Sequence, residues 1–296
     1  MRFVRRGRGR PEDAPAIRGL TGRKMNAFMF RAGRECNLSC SHCYTDSGPG
    51  RPRAGPETAL QALGNLRRLV KMEKTGVGIN GGEPLMNPGF VAAVAERARS
   101  MISSAGGMRS RMPIATNGTV FSGSVAGRLS ALKDSIILLF PSDRFHRKPS
   151  KIREAEAAGF ETYETSGNYP IAALGRGYSL KDANWKTACD AAGIRYVAAE
   201  GKLEVAERKL ARHAFAVSES GELYLCGYGG IPFADLARQD TFEIAEDLAW
   251  SERAMEFITN GPIGLAALEG KEREAIEIFL ERGSCGVCYA LAEGII

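Results

Sequence analysis

The stretch ECNLSCSHCY, residues 35–44, constrains the fold and the chemistry of this chain most strongly, because it holds three cysteines at C-x3-C-x2-C spacing. It follows a short apolar segment, residues 27–30, that is predicted to be a buried strand, so the cysteines are expected in a loop. Cys36, Cys40 and Cys43 can converge on one metal centre, and thiolates suit zinc and iron–sulfur clusters. A structural zinc site needs four ligands, whereas a cubane cluster held by three cysteines leaves one iron open. His42, wedged between two of the cysteines, is not expected to reach the same metal.

Apolar segments and helical patterns alternate from this loop onward. The predicted strands are 27–30, 77–80, 113–116, 136–140 and 160–165. The predicted helices are 58–74, 89–104, 121–132 and 150–158. This alternation favours parallel strands, each buried by the helix that follows it, and therefore an α/β fold.

The pattern changes in the last third of the chain. Residues 213–217 and 222–225 predict two strands about a turn, which is a β-hairpin, and residues 246–258 and 264–281 predict helices. We therefore expect a basic N-terminal arm over residues 1–24, a βα domain over 25–184 and a smaller α+β domain over 185–296.

Composition and charge limit the possible settings. The chain has 296 residues, of which 44% are hydrophobic and 25% charged, and this is typical of a globular protein. The arm holds eight of the 40 basic and two of the 34 acidic side chains, which leaves 32 of each sign, so we expect a solvated tail and no nucleic-acid partner. No apolar run reaches the roughly 18 residues of a membrane span, and no secretory signal is visible. We expect a cytoplasmic protein without a membrane partner, whose reduced thiols serve as metal ligands or catalytic groups.

Two further stretches accompany the cysteine loop in the expected order. Asn80-Gly-Gly-Glu-Pro84 follows the second predicted strand, and Ala115-Thr-Asn-Gly118 ends the third. Taken alone, each of them could be an ordinary turn between a strand and a helix. Together with CNLSCSHCY they resemble the radical S-adenosylmethionine (SAM) enzymes, whose fold is a partial, six-stranded (β/α)6 TIM-like barrel. The resemblance implies a [4Fe–4S] cluster on Cys36, Cys40 and Cys43, and SAM-binding residues Gly81, Gly82, Glu83, Pro84, Thr116, Asn117 and Ser142.

The four remaining cysteines resemble a C-terminal extension of the same family. Cys226 ends a G-x4-C pattern in the predicted hairpin, and Cys285 and Cys288 form a C-x2-C pair, as in the short form of the SPASM domain called twitch. The resemblance implies a second, auxiliary [4Fe–4S] cluster. Cys189 lies 32 positions before Gly221, further than in the usual pattern, so it is either the fourth ligand or a free hydrogen donor. A four-cysteine zinc ribbon is the alternative for this quartet.

The family's chemistry sets the expected function. Reductive cleavage of SAM yields a 5′-deoxyadenosyl radical that abstracts hydrogen from the substrate, and an external electron donor such as flavodoxin or ferredoxin supplies the electron. We expect oxidation of a small natural-product intermediate by dehydrogenation or bond formation. Epimerisation with Cys189 as hydrogen donor, maturation of a ribosomal peptide, and a zinc-dependent nucleic-acid-binding module without enzymatic activity stay as alternatives. His146 is a candidate catalytic base, or a turn histidine, and Arg176 in Gly175-Arg-Gly177 is a candidate partner for a carboxylate.

Overall fold

The computed structural model describes most of the chain. The described residues are 26–69, 75–104, 111–142, 146, 150–166, 172–180, 185, 188–189, 194–199, 202–208, 213–240, 243–244, 248 and 251–296. The predicted arm over residues 1–24 and the side chain of Ser142 lie outside this part.

Eleven strands are present in the described part. They are β1 (Asn26–Arg31), β2 (Thr75–Asn80), β3 (Met112–Ala115), β4 (Ile136–Ser142), β5 (Glu161–Ser166), β6 (Ala188–Cys189), β7 (Ile194–Ala199), β8 (Lys202–Arg208), β9 (His213–Val217), β10 (Glu222–Tyr224) and β11 (Pro232–Asp235). Eight of them form one sheet in the order β11-β10-β9-β1-β2-β3-β4-β5, and β6, β7 and β8 form a second, antiparallel sheet.

The described helices cover the large sheet and form the C-terminal end of the chain. They are α1 (Pro56–Leu69), α2 (Pro88–Ser104), α3 (Gly123–Leu129), α4 (Ile152–Ala157), α5 (Glu252–Leu268) and α6 (Glu272–Ala292). Side-chain caps help to fix where two of them begin: Ser122 accepts the N–H of Val125 ahead of α3, and Ser251 accepts the N–H of Ala254 ahead of α5.

The predicted α/β architecture with a partial TIM-like barrel is confirmed. Strands β1 to β5 are parallel in sequence order, and each of the first four is followed by a helix. Their apolar side chains are excluded from solvent: Phe30, Ile79, Ile114 and Leu138 are each no more than 1% exposed. Such nearly continuous burial is what a parallel sheet covered by helices requires.

The predicted hairpin is present, but it belongs to the large sheet. Strand β9 pairs in parallel with β1, from Asn26 opposite His213 to Phe30 opposite Val217, and β10 pairs antiparallel with β9. The sixth parallel strand therefore comes from the predicted C-terminal region and joins beside β1, not after β5. Its position brings the turn after β9 to the same edge of the sheet as the cysteine loop after β1.

The C-terminal helices differ from their predicted bounds. The predicted helix over 264–281 is wrong, because α5 runs on to Leu268 and a break around Gly270, at φ +74°, separates it from α6. Cys285 and Cys288 were expected beyond the last long helix but lie within α6, directly after a kink at Gly283 with φ +66°. A positive φ interrupts the helical path at both glycines, and a periodic apolar pattern alone does not reveal it. None of the helices in the described ranges is long and apolar enough to cross a membrane.

Candidate functional site

The cysteine loop lies where the parallel strands end. Cys36 follows β1, and its backbone N–H donates to the carbonyl of Gly48 at 3.1 Å. The N–H of Gly48 in turn donates to the carbonyl of Arg34 at 3.0 Å, so the loop is closed on itself by backbone hydrogen bonds. The carboxyl ends of β2, β3 and β4 reach the same edge, as expected for a site in a barrel of parallel strands.

Two glycines allow the second motif to run directly against this loop. Gly81 has φ +115°, and a Cβ there would lie 2.7 Å from the carbonyl oxygen of Gly33. A Cβ at Gly82 would overlap the carbonyl of Glu35. The N–H groups of Gly82 and Glu83 donate to the carbonyls of Gly33 and Glu35 at 2.9 and 2.8 Å. Side chains at these two positions would push the motif away from the cysteines.

Hydrogen-bond donors surround two of the three thiols. The Sγ of Cys36 accepts the N–H of Leu38 and the Nδ2 of Asn117, both at 3.4 Å. The Sγ of Cys43 accepts the N–H of Ser47 at 3.2 Å. Burial raises the pKa of the Cys36 thiol, while the hydrogen bonds from Leu38 and Asn117 act in the opposite direction. Such N–H donors stabilise the thiolate form, which is the form that binds a metal.

Glu83 ties the second and third motifs together. Its side chain is 2% exposed. Its carboxylate accepts the hydroxyl of Thr116 at 2.7 Å and the N–H groups of Asn117 and Leu85 at 2.6 and 3.0 Å. Burial raises the pKa of this carboxyl to about 7 against these hydrogen bonds. The carboxylate therefore braces the ends of β2 and β3.

The three motifs meet around one cavity of about 240 Å³. Cys36, Cys40 and Cys43 line it, together with Gly81, Gly82, Thr116, Asn117 and His146. Glu83 and Pro84 are not among the described lining residues; both are buried behind the wall. Asn80, 7% exposed, donates from Nδ2 to the Tyr44 hydroxyl at 3.0 Å, and its Oδ1 is buried without a hydrogen-bond partner in the described part. An unsatisfied buried acceptor on a cavity wall calls for a donor on the ligand.

His146 and Ser142 are placed to different extents. The ring of His146 lies on the wall of this cavity, edge-on to His42 with ring centroids 5.0 Å apart. The backbone of Ser142 ends β4, but its side chain is not described. The structure thus places His146 beside the cysteine loop. The SAM-binding role of Ser142 stays a prediction.

Arg176 has a different role from the one that the sequence suggested, which was to bind a carboxylate. Its Nε donates to the carbonyl of Cys40 at 3.0 Å, its Nη1 pairs with Asp46 at 2.9 Å and its Nη2 donates to the carbonyl of Ser47. The guanidinium is engaged by the loop, so it braces the cysteines instead of facing a ligand carboxylate. Sequence reasoning singled out the Gly-Arg-Gly triplet but missed this role.

Close packing against the loop explains the glycines of that triplet. Gly175 has φ +51°, and a Cβ there would lie 2.7 Å from the Cys43 carbonyl oxygen. The backbone N–H of Arg176 donates to the same carbonyl at 3.1 Å. Only glycine permits this approach. The signal in the sequence was therefore the pair of glycines that flank the arginine.

The four C-terminal cysteines come from distant elements, and three of them influence the thiol of the fourth. Cys189 ends β6, Cys226 follows β10, and Cys285 and Cys288 lie one turn apart in α6. Burial first, and then the neighbouring thiols of Cys189, Cys285 and Cys226, raise the pKa of the Cys288 thiol well above its ordinary value. All seven cysteines of the chain are thiols without disulfides.

A second, larger cavity of about 690 Å³ adjoins both cysteine sets. It shares Tyr44, Thr45 and Arg176 with the smaller cavity. On its other side it is lined by Tyr228 and Gly230, and a Cβ at Gly230 would lie 3.3 Å from the Cβ of Cys288. The rings of Tyr44 and Tyr228 meet edge-on, with centroids 5.5 Å apart.

The thiols of the cysteine loop have the chemistry that an iron–sulfur cluster requires. In the described ranges, no three Cys, His, Asp or Glu side chains are already arranged around the position of a single metal ion. Three thiols on the wall of one cavity, with N–H donors at two of them, fit a cluster that keeps one position open. The residues present therefore fit the group that the sequence resemblance implied.

Comparison with known proteins bears on the same region. Residues 31–144 match the model of the Radical SAM superfamily. Pre-heme d1 synthase of Dinoroseobacter shibae is 34% identical over 104 residues, which cover 35% of this chain and 24% of that protein. Molybdenum cofactor biosynthesis protein 1 of Homo sapiens is 33% identical over 94 residues, which cover 30% of this chain and 15% of that protein. The chain thus spans a quarter or less of the length of these curated relatives.

Solved structures share the fold. The crystal structure of BtrN in complex with AdoMet and 2-DOIA has a TM-score of 0.55 and 14% identity, and the match covers 81% of this chain and 89% of that chain. At this identity the likeness concerns the fold alone. The match over residues 31–144 indicates a radical SAM domain there, which implies SAM and one [4Fe–4S] cluster as cofactors, and the prediction of an enzyme is confirmed.

Proposed function

We propose that this chain is a radical SAM oxidoreductase with an auxiliary cluster, which oxidises a small polar molecule. Two features support the proposal. Cys36, Cys40 and Cys43 line one cavity with the two motifs that follow them, and the four other cysteines converge around Cys288. The proposal beyond SAM cleavage is supported by the thiols of Cys189, Cys226 and Cys285, which raise the pKa of the Cys288 thiol, because four thiols have the composition of a fully ligated cluster.

The residues of the smaller cavity bind and orient SAM. Cys36, Cys40 and Cys43 would hold a [4Fe–4S] cluster, which would supply the electron that cleaves SAM to methionine and a 5′-deoxyadenosyl radical. The Oδ1 of Asn80, which has no hydrogen-bond partner in the described part, would be available to a donor on SAM such as its ammonium group. Glu83 accepts the hydroxyl of Thr116 and the backbone N–H of Asn117 and so holds both residues in place, and Arg176 holds the cysteine loop.

The proposed oxidation balances in atoms and electrons. The substrate gives one hydrogen atom to the radical, which becomes 5′-deoxyadenosine, and then loses one electron and one proton. Overall, SAM and the substrate become methionine, 5′-deoxyadenosine, a product oxidised by two electrons, and a proton. The region over residues 185–296 would then serve as the auxiliary-cluster domain and accept the electron, and an external donor such as flavodoxin or ferredoxin would start the first turnover.

Cys189 decides between oxidation and epimerisation. Its thiol is one of those near Cys288, which supports its role as the fourth ligand. Cys189→Ala should lower the iron content and leave the SAM cluster in place. If the variant keeps all of its iron while solvent deuterium no longer enters the product, Cys189 is a hydrogen donor and the reaction is an epimerisation.

The test of the proposed function is anaerobic reconstitution with iron and sulfide. We expect about eight iron atoms per chain, and formation of 5′-deoxyadenosine from SAM when dithionite is added, measured by mass spectrometry. The matched control omits dithionite and should give no 5′-deoxyadenosine. A chain that takes up only zinc and leaves SAM intact would refute the assignment and favour the zinc-binding alternative.

A further inference from the structure

We propose that the 690 Å³ cavity binds a small zwitterionic molecule that carries one ammonium and one carboxylate group. This inference names the substrate class of the proposed function and therefore rests on that function. The volume of the cavity lies within the range of about 300–1,000 Å³ that is usual for sites of small molecules. Because it borders the SAM cavity at Tyr44 and Thr45, a ligand there would lie next to the reacting centre.

Hydroxyl groups dominate the wall of this cavity, so it suits a polar ligand. The hydroxyl-bearing residues are Tyr44, Thr45, Ser179, Ser218, Ser220, Tyr224, Tyr228 and Tyr289. The apolar contribution is small and includes Leu174 and Ala292. An apolar ligand would leave these hydroxyls without water or partners, which is unfavourable.

Most charges on the wall are already paired. Arg34 pairs with Glu219 at 2.9 Å, and Arg176 pairs with Asp46 at 2.9 Å. Three charges on the wall stay without an ion-pair partner among the described residues: Glu293, which is exposed at the end of α6, and the half-buried, opposite charges of Arg31 and Glu222. The Arg31 guanidinium lies 5.1 Å from the centre of the Tyr224 ring, whose hydroxyl donates to Glu222 at 2.9 Å.

Each of these two groups has hydrogen-bonding capacity that the described residues leave unused. Arg31 donates from Nη2 to the carbonyl of Tyr228 at 2.9 Å, while its Nε is buried without a hydrogen-bond partner in the described part. The hydroxyls of Ser218, Ser220 and Tyr224 all donate to Oε2 of Glu222, at 3.1, 3.2 and 2.9 Å. These three hydroxyls fix the carboxylate and leave Oε1 to a ligand. A carboxylate on Arg31 and an ammonium on Glu222 would complete both groups.

The test uses probes that differ by one charge. L-Serine carries both charges, L-serine methyl ester only the ammonium, and N-acetyl-L-serine only the carboxylate. Binding is measured by ligand-observed NMR on the reconstituted protein with saturating SAM and no reductant, so that the SAM site is filled. We expect L-serine to bind at least tenfold more tightly than either derivative.

Two variants assign the charges to their partners. Glu222→Gln should remove the preference for L-serine over N-acetyl-L-serine, and Arg31→Gln should remove the preference over the methyl ester. Glu274→Gln, an exposed change on α6, is the control and should keep both preferences. Thermal unfolding shows whether each variant is folded. Because each variant should lose a different binding preference, the assignment of the two charges does not depend on one variant alone.

Several outcomes would overturn the inference. They are equal binding of the three probes, no binding of any of them, and unchanged preferences in the two variants. Tighter binding of N-acetyl-L-serine amide, which carries neither charge, would indicate a peptide segment instead. Because the measurement needs no SAM cleavage, its failure and the failure of the proposed function are distinguishable.

Discussion

The two cysteine sets of this chain are built in opposite ways. Cys36, Cys40 and Cys43 lie within eight residues of one loop, which is closed by backbone hydrogen bonds. The other four thiols span residues 189–288 and come from a strand, a segment after a hairpin strand and a kinked helix. The first set is therefore positioned by local geometry and the second by the packing of distant elements.

This difference shows which substitutions should disturb the position of each cysteine set. The loop depends on neighbours that touch its backbone, above all Arg176 and the glycines of the second motif. The quartet depends on close approach between elements: a Cβ at Gly261, in the kink of α5, would lie 3.3 Å from the Sγ of Cys189. Changes at the two kinds of support should have separable effects.

The largest expected effect comes from removing each thiol set in turn. Replacing Cys36, Cys40 and Cys43 together by Ala should abolish 5′-deoxyadenosine formation and remove about half of the iron. Replacing Cys285 and Cys288 together by Ala should also remove about half of the iron but keep SAM cleavage. Iron analysis and mass spectrometry check both results. Loss of SAM cleavage in the second variant, although the half of the iron that belongs to the cysteine loop is retained, would show that the two sets are not independent.

A glycine-to-alanine change beside the four C-terminal thiols should destabilise the chain more than the same change at a glycine with open surroundings. Gly261→Ala should lower the free energy of unfolding by roughly 2–4 kcal/mol, because its φ of +69° disfavours a side chain and the new methyl would press on Cys189 and Tyr196. Gly270→Ala shares a positive φ of +74° with no atom within 4 Å of the new Cβ, and should cost only about 1–2 kcal/mol. Urea unfolding of both variants measures the difference, and equal losses would remove the packing argument.

The brace on the cysteine loop should have a moderate effect. Arg176→Gln removes a charged donor from Asp46 and from the carbonyls of Cys40 and Ser47, and should cost about 2 kcal/mol of stability. Arg176→Lys should recover only part of this, because an ammonium lacks the planar fork. Labelling of Cys40 in the iron-free chain should become faster in both variants. The exposed pair of Arg273 and Glu277 supplies the control, Arg273→Gln, which should change neither quantity.

The sequence predicted the parallel barrel strands and the convergence of three motifs, because both follow from local patterns. It assigned the hairpin to a separate region, since no local signal shows that β9 pairs with β1. It also placed Cys285 and Cys288 beyond a helix that in fact contains them, because the kink at Gly283 is a backbone feature. The role of Arg176 depends on contacts with residues about 130 positions earlier in the chain. Local sequence patterns do not reveal such contacts.

The last prediction concerns Glu83, whose hydrogen bonds join the second and third motifs and do not involve the four C-terminal thiols. Burial raises the pKa of its carboxyl to about 7 from an ordinary value of 4.5. The folded chain therefore holds a proton that the unfolded chain releases above pH 4.5, so the contribution of this carboxyl to stability is greatest below that pH and falls as the pH rises to 7. The fall should be at most about 1.4 kcal/mol per pH unit, the limit for one proton.

Glu83→Gln cannot ionise, so this fall should be absent from the variant although its stability at low pH is lower, since the amide replaces an acceptor for the N–H of Asn117. Glu274→Gln, on the exposed face of α6, is the matched control and should retain the wild-type slope. Urea unfolding of the iron-free chain between pH 4.5 and 7 gives the three slopes. If the slopes of the wild type and Glu83→Gln coincide, the carboxyl is charged throughout, and the hydrogen bonds from Thr116, Asn117 and Leu85 outweigh its burial.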